Sequence, residues 1–308
     1  MHQYIKQGNI PLKKHTSHIS KKGNLYFEEH ISRHGFSDIY SNLYHLRMPT
    51  CLKEVKGFQS YDIEETAEKE HKPRHFLTGN KLKNKNIINA RIPYLYNDTI
   101  NIFKAYSSIS MDFYYRNGHY DELYYIQSGS GCLLSNFGDL DVSKGDFIII
   151  PRGILWKLDI SEPISALVIE SKQQVRTPKR YRNQFGQLLE HSPFCERDFK
   201  LPKLSNPINL IEDTRVLVRL KGGYQEYIYE HNPMDVVGWD GYYYPWIFNI
   251  NDFEPITGSL HQPPPVHQVF ENENFVVCAF VPRLFDYHEK AIPAPYPHSN
   301  VDSDEVIF

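Results

Sequence analysis

The sequence contains few cysteines, and they do not occur in paired motifs. It has four cysteines among 308 residues, and no two of them form a CxxC pair. A disulfide framework is therefore not expected. Cys132 and Cys278 lie in apolar, strand-like runs, where we expect buried thiols in a reducing cytoplasm.

Long apolar runs and an excess of one charge are also missing. No run approaches the length of a membrane span, and the N-terminus lacks the apolar core of a signal peptide. The net charge is -3 and the pI is about 6.6, which gives no reason to propose a nucleic acid or an anionic membrane as partner. We expect a cytoplasmic protein with neither kind of partner.

Aromatic residues and prolines are plentiful, and together they favour β-sheet with ordered loops. Aromatic residues make up 14% of the chain, and there are 20 prolines. Short β-rich runs punctuated by glycines recur from about residue 88, and a second β-rich block opens near residue 214. This cadence predicts an all-β dominated fold with two barrels or jelly rolls, one in residues 1–200 and one in residues 201–308.

The final stretch has a His and an acid at a spacing that suits a metal site. Pro293, Pro295 and Pro297 precede His298, so the chain enters in an extended conformation. A short turn then leads to Glu305, which we expect to open an apolar strand. An imidazole and a carboxylate brought together in this way supply two thirds of a 2-His-1-carboxylate iron site. The alternative is a polar turn with an exposed His.

Asp304 is the rival acid in this stretch, because it lies one residue before Glu305. Side chains alternate along an extended strand, so the two acids should point in opposite directions. We therefore expect only one of them to be a metal ligand, and alternation favours Glu305 over Asp304.

The same pattern occurs a second time upstream. Residues 115–125, YRNGHYDELYY, have the frame of residues 298–308, HSNVDSDEVIF. Asn, Asp and Glu coincide in the two stretches, and Tyr115 stands where His298 stands. We call residues 115–125 the first frame and residues 298–308 the second frame. Such an internal repeat suggests two similar β-domains.

The first frame and the stretch after it resemble the cupin family. Six residues separate Glu122 from Gly129, as in the first cupin motif, and residues 145–156, GDFIIIPRGILW, follow the second motif. The cupin pattern has His where this chain has Tyr115, Asn117 and Trp156. The resemblance therefore implies that the first β-domain is a metal-free structural barrel.

The second block resembles homogentisate 1,2-dioxygenases. The resemblance rests on four segments: residues 233–246 (PMDVVGWDGYYYPW), 252–270 (DFEPITGSLHQPPPVHQVF), 275–283 (FVVCAFVPR) and 296–305 (YPHSNVDSDE). It implies two cupin-like jelly-roll barrels, the second incomplete, with an Fe(II) site in the second. It also implies ring opening of homogentisate by O2 to maleylacetoacetate in tyrosine and phenylalanine breakdown, in a homotrimer or homohexamer. Gentisate or another hydroquinone acid would suit the same residues.

The resemblance also implies roles for individual residues. His298 and Glu305 would ligate the iron, and His267 or His261 would hydrogen-bond the substrate hydroxyl and take its proton, with His267 preferred. The third ligand of the family is a His downstream of the Glu, and this sequence reaches Phe308 without it. We therefore expect either a shortened chain or a fragment. Its function is either that of an iron dioxygenase of the homogentisate type, complete or descended from one, or that of a cupin-like binding or inactive protein that keeps the fold and has lost the chemistry.

Overall fold

The structure is a computed structural model that describes residues 3–67, 70–79, 84–292 and 296–308. Within these residues the regular elements are β-strands and short 3-10 helices, with no α-helix. The strands are β1 Ile5–Gly8, β2 Phe27–Ser32, β3 Tyr40–His45, β4 Leu52–Ser60, β5 Arg91–Tyr96, β6 Ile100–Ser107, β7 Tyr114–Asn117, β8 Asp121–Ser135, β9 Gly138–Val142, β10 Asp146–Ile150, β11 Leu155–Ser171, β12 Phe199–Lys200, β13 Thr214–Leu220, β14 Gly223–Tyr229, β15 Val236–Gly241, β16 Trp246–Asn249, β17 Gln268–Glu271 and β18 Val276–Cys278. The 3-10 helices are His34–Phe36, Lys179–Tyr181, Glu196–Asp198, Ile250–Asp252, Pro264–His267 and Leu284–Tyr287. The predicted all-β dominated fold class is confirmed for the described residues.

The largest sheet is organised around β8 and β11, which are antiparallel and 15 and 17 residues long. β10 pairs with the first half of β8 and β9 with its second half, while β6 runs along the second half of β11. The β8–β11 ladder shifts register between Ile160 and Ala166, and such irregularities bend a strand pair. Gly129 lies at this bend with φ +92°, and a Cβ there would lie 2.2 Å from the Pro163 carbonyl oxygen. Only glycine fits this position.

The N-terminal residues form a second sheet with a strand from far along the chain. Its order is β1-β15-β3-β2, so Ile5–Gly8 pairs with Val236–Gly241. His45, at the end of β3, places Nδ1 2.7 Å from Asp235 Oδ1 and Nε2 3.2 Å from Glu29 Oε2. Burial alone would lower the pKa of His45, but the two carboxylates outweigh it and raise that pKa to about 9. The imidazolium therefore ties three segments of this sheet together.

Strands from residues 201–308 are distributed over all three sheets. β13 pairs in parallel with β7, β14 pairs with β4, and β16 pairs with β10. β17 and β18 form a two-stranded sheet of their own. The second block thus lies directly against strands of the first block, and the division into domains 1–200 and 201–308 stays a prediction.

The predicted strand that begins at Glu305 is not found. Residues 303–308 have no regular secondary structure, and no strand of the described residues pairs with them. A strand exists only when a neighbour satisfies its N–H and C=O groups, and apolar character alone does not supply that neighbour. Val306, Ile307 and Phe308 are consequently exposed.

The prediction of two buried thiols is also wrong. All four cysteines are free, but Cys132 is only half-buried and Cys278 is exposed. Cys278 is the last residue of β18, a three-residue strand whose first and last residues are exposed. Among those residues, no helix has the length and apolar character that crossing a bilayer requires.

Candidate metal and substrate site

The second frame brings His298 and Glu305 into contact. His298 Nε2 lies 3.2 Å from Glu305 Oε2, and the Asn300 amide donates to the same oxygen over 3.3 Å. The chain bends at residues 301–302, between the two partners. Both side chains are about 40% exposed, His298 at 41% and Glu305 at 40%. The hairpin-like approach expected from the spacing is present without a strand; Pro293 and Pro295 of the predicted entry lie outside the described residues.

The tautomer of His298 follows from its second contact. Nδ1 lies 3.0 Å from the Tyr296 carbonyl oxygen, which only accepts hydrogen bonds, so Nδ1 carries a proton. A neutral ring then directs the Nε2 lone pair at the Glu305 carboxylate. The Tyr296 carbonyl and Glu305 raise the pKa of His298, because both stabilise the doubly protonated ring. Since Nε2 of the neutral ring and the Glu305 carboxylate are both acceptors, a proton or a metal cation between them is needed to make the contact favourable.

Asp304 points to a different partner. Its Oδ1 lies 3.8 Å from His71 Nε2, and both side chains are almost fully exposed, at 93% and 99%. The two adjacent acids therefore diverge, as alternation predicts, and Glu305 is the one beside His298.

The described residues do not complete a metal site around this pair. They contain no group of three or more His, Cys, Asp or Glu side chains placed to hold a metal ion. An imidazole and a carboxylate are suitable donors for iron by chemical type, but two donors do not make the three-ligand face. The two residues are therefore donors of the types that bind iron, but they are fewer than the three that such a site requires.

His267 lies in the protein interior and meets a buried arginine. It ends the 3-10 helix Pro264–His267, which opens on prolines, and its carbonyl accepts from the Ala279 N–H over 2.8 Å. Arg283 Nη1 is 2.9 Å from Nδ1 and 3.0 Å from Nε2, and the Gln262 amide nitrogen also contacts Nε2. Burial, followed by the Arg283 charge, lowers the pKa of His267 to about 4. The ring is neutral at physiological pH.

Arg283 is fixed in place by its own partner. Its Nη2 donates to Asp286 Oδ1 over 2.9 Å and its Nε to Oδ2 over 3.1 Å, a bidentate pair. The Phe280 ring stacks on His267, with centroids 4.4 Å apart. His261, by contrast, is exposed. In the part of the chain that the structure describes, no hydrogen bond or ion pair joins His261 or His267 to His298 or Glu305.

The first frame closes in the same way as the second, but in the core. Tyr115 Oη donates to Glu122 Oε1 over 3.2 Å, and the Asn117 amide donates to Tyr115 Oη over 3.3 Å. Trp156 packs edge-on against the Tyr115 ring, with centroids 5.3 Å apart. The residues at the cupin ligand positions are therefore in contact with one another, and two of them are aromatic side chains, Tyr115 and Trp156.

Sequence reasoning missed the cation of the first frame. Arg91, the first residue of β5, donates from Nη2 to Glu122 Oε1 over 2.7 Å and from Nη1 to Glu170 Oε1 over 3.2 Å. Burial raises the pKa of Glu122, and Arg91 opposes that rise. No local period marks Arg91 as a residue that points inward, so no pattern in the sequence could have found it.

Comparison with known proteins identifies the family. The family model described as homogentisate 1,2-dioxygenase N-terminal matches residues 81–250. A Saccharolobus solfataricus protein named "Putative dioxygenase SSO1533" is 39% identical over 306 residues, covering 99% of this chain and 79% of the relative. Homogentisate 1,2-dioxygenase of Bradyrhizobium diazoefficiens is 25% identical over 211 residues, covering 64% of this chain and 45% of that enzyme.

Solved cupin structures match smaller parts of the chain. A cupin-2 domain protein of Shewanella frigidimarina covers 26% of this chain and 78% of its own, at 14% identity and a TM-score of 0.25. The chain spans about half the length of the homogentisate dioxygenases that it matches. The family match includes the first frame and ends before the second. On the evidence of this match and of the 39% identical relative, the chain belongs to the homogentisate 1,2-dioxygenase family.

Proposed function

We propose that this chain carries part of the active site of an Fe(II)-dependent dioxygenase that opens the ring of homogentisate with O2 to give maleylacetoacetate. Its place would be in tyrosine and phenylalanine breakdown. Family membership supports a dioxygenase. The observation that carries the proposal to a particular site is the contact between His298 and Glu305.

His298 and Glu305 are the residues of this chain that would hold the iron. The Tyr296 carbonyl holds Nδ1–H, which orients the ring and directs Nε2 towards the carboxylate. An iron held by these residues would supply Lewis-acid activation of a substrate hydroxyl and binding of O2. No further ligand is assigned, because the described residues supply no third donor of the expected types.

His267 is the preferred partner for the substrate hydroxyl, and His261 is the alternative. The neutral His267 ring is suited to accept a hydrogen bond, but Arg283 and Gln262 already approach its nitrogens. Binding of a hydroxyl therefore requires one of these contacts to be exchanged. A pKa near 4 makes His267 a weak base, so its role would be to orient the hydroxyl more than to retain its proton.

Iron content and O2 uptake test the proposal on the 308-residue chain. The chain is loaded with Fe(II) and ascorbate, and uptake is followed with homogentisate and, separately, with gentisate. We expect bound iron and homogentisate-dependent uptake, both lost in His298→Ala and Glu305→Gln. Asp304→Asn is the matched control, because Asp304 is the adjacent acid and contacts His71 instead. Equal loss in Asp304→Asn, or no effect of His298→Ala, would contradict the assignment.

A cupin-like protein that binds without catalysis is the second candidate. It is favoured by one observation: the part of the chain with described coordinates contains no third donor beside the pair. Calorimetric titration with homogentisate under anaerobic conditions separates the two. Homogentisate binding with negligible O2 uptake, whether or not iron is added, supports the binding protein. O2 uptake that increases with iron content supports the enzyme.

We also propose a cytoplasmic homo-oligomer, a trimer or a hexamer. The free state of all four cysteines supports a reducing compartment. The exposed apolar side chains near residues 276–292, such as Phe280, Leu284 and Tyr287, support burial against another surface. Light scattering after size exclusion measures the mass, and a monomer at micromolar concentration would rule this proposal out.

A further inference from the structure

Four buried charged side chains meet in the core against the largest sheet. Two arginines, Arg91 and Arg219, face two glutamates, Glu122 and Glu170. The arginine side chains are 3% exposed and the glutamates are 0% exposed. The charges of the four groups cancel. Buried ions are tolerated only when paired in this way, because an unpaired charge in the interior is very costly.

Arg91 is the group that holds the two glutamates together. Its Nη2 reaches Glu122 Oε1 at 2.7 Å and its Nη1 reaches Glu170 Oε1 at 3.2 Å, so one planar fork bridges both carboxylates. Arg219 reaches Glu170 only, with Nε 3.4 Å from Oε1. Glu122 Oε2 makes no hydrogen bond to any described residue, so Arg91 is the cation on which Glu122 depends.

Aromatic rings complete the surroundings of the Arg91 guanidinium. Its central carbon lies 5.5 Å from the ring centroids of both Tyr115 and Tyr124. The Tyr124 hydroxyl also contacts Nη2. These distances are those of cation–π contacts, which are strongest when the cation is desolvated. The pocket therefore recognises a flat cation by shape and by charge.

The repeat within this chain shows what the guanidinium replaces. Glu122 occupies in the first frame the place that Glu305 occupies in the second. In both frames the glutamate lies 3.2 Å from the residue seven positions earlier, Tyr115 or His298. The second frame presents a pair of metal-type donors, whereas the first frame presents its carboxylate to Arg91.

We propose that Arg91 is the internal cation of the first β-domain, held in a guanidinium site made by Glu122, Glu170, Tyr115 and Tyr124. The guanidinium occupies the space that a metal ion would need. Glu122 and Glu170 consequently need no metal ion, because Arg91 of β5 and Arg219 of β13 balance their charges. The site is specific for a planar cation, and emptying it leaves a binding site for free guanidinium.

Rescue of an emptied site tests the proposal. Arg91→Ala removes the headgroup, and low millimolar guanidinium chloride returns it as a free ion. We expect the Tm of Arg91→Ala to rise by several degrees and to saturate, relative to the same concentration of NaCl. Urea has the same planar shape without the charge, so it should give no rise. Leu133→Ala is the matched control, since Leu133 is a buried core residue of β8 that pairs with no charge.

Two outcomes would overturn the proposal. We expect guanidinium to leave the Tm of wild type and of Leu133→Ala unchanged or to lower it. If the Tm of Arg91→Ala responds in the same way, the proposal is overturned. The other outcome is that urea raises the Tm of Arg91→Ala as much as guanidinium does, because the site would then require an occupant of the right shape but no charge.

A second pair of variants covers the case in which Arg91→Ala does not fold. Arg91→Met fills the space but leaves Glu122 without a cation, and adding Glu122→Gln removes the unpaired charge while keeping the Arg219–Glu170 pair. We expect the double variant to have a higher Tm than Arg91→Met alone. An equal or lower Tm of the double variant would overturn the charge-balance role.

Discussion

The two frames have the same spacing and the same internal contact, yet they lie in opposite environments. The Tyr115–Glu122 pair is in the core at 0% exposure for both residues, whereas the His298–Glu305 pair is about 40% exposed. The first frame lies in β7 and β8, both of which pair with β11, and the second frame has no strand in the described residues. A local sequence pattern thus sets the approach of residue i to residue i+7, and the surrounding sheet decides what that approach is used for.

Loss of the Arg91 charge should have the largest effect on the first frame. Arg91→Met leaves a carboxylate of 0% exposure without its cation, which costs about 3–5 kcal/mol of the free energy of unfolding. Arg215→Met is the matched control: Arg215 pairs with Glu226 at 47% side-chain exposure, and such surface pairs contribute about 0–1 kcal/mol. Urea unfolding at constant pH measures both. A loss in Arg91→Met no larger than that in Arg215→Met would show that the two frames do not differ in this way.

Raising the pH should loosen the N-terminal sheet that borders the first frame. His45 has a pKa of about 9 in the folded protein, above its usual value of 6.5. A raised pKa contributes stability that is complete below pH 6.5 and is lost as the pH rises through 9. At about 1.4 kcal/mol per pKa unit, the loss is about 3 kcal/mol.

Urea unfolding between pH 6 and pH 9.5 measures this loss. His45→Gln should flatten the profile, because Gln does not titrate. Glu29 and Asp235 face the ring, and the nearby Arg116 lowers the pKa of Glu29 further. An unchanged slope in His45→Gln would assign the pH dependence to other groups.

Removal of His298 should affect metal binding without affecting stability. His298→Ala deletes a proposed ligand, and we expect Fe(II) affinity to fall by more than about 100-fold, since removal of outer-shell partners alone costs 10–100-fold. The side chain is 41% exposed, so the free energy of unfolding without metal should change by less than about 0.5 kcal/mol. Anaerobic Fe(II) titration and urea unfolding measure the two quantities. Low pH should also weaken Fe(II) binding, because the pKa of His298 is raised and its proton competes with the metal.

Giving the first frame the His of the second frame should leave the iron content of the protein unchanged. Tyr115→His gives the first frame the same His and Glu spacing as residues 298–305. We expect no additional bound iron, because Arg91 still occupies the space beside Glu122. Stability should fall by about 1–3 kcal/mol through lost packing against Trp156. Iron analysis of Tyr115→His in the His298→Ala background isolates the first frame, and one equivalent of iron there would break the comparison.

The sequence predicts local structure here better than it predicts partners. The β-rich block expected to open near residue 214 begins with β13 at Thr214, and the runs expected from about residue 88 begin with β5 at Arg91. The contact between His298 and Glu305 follows from spacing and a turn. β13 pairs with the next strand, β14, and also in parallel with β7, about a hundred residues earlier. No local pattern specifies the parallel pairing. The strand expected from Glu305 fails for the same reason, since its neighbour is not encoded in the segment itself.

In the candidate site, too, local features follow from the sequence and tertiary contacts do not. Asp304 and Glu305 lie beside different partners, His71 and His298, although they are adjacent in the chain. The burial of His267 against Arg283, by contrast, depends on a hairpin and a capping turn that meet only in three dimensions. Arg91 is the clearest case, because a single inward-pointing cation leaves no periodic trace in the residues around it.

The pairing of β1 with β15 has a consequence for how the chain is made. Ile5–Gly8 is synthesised well before its partner Val236–Gly241, which follows more than two hundred residues later. At roughly 5–20 residues per second, β1 waits on the order of ten seconds or longer before it can pair. During that time its N–H and C=O groups, and those of β3 that later bind β15, are open to other chains. We expect slower translation to lengthen this exposure and a chaperone that covers the open edge to counter it.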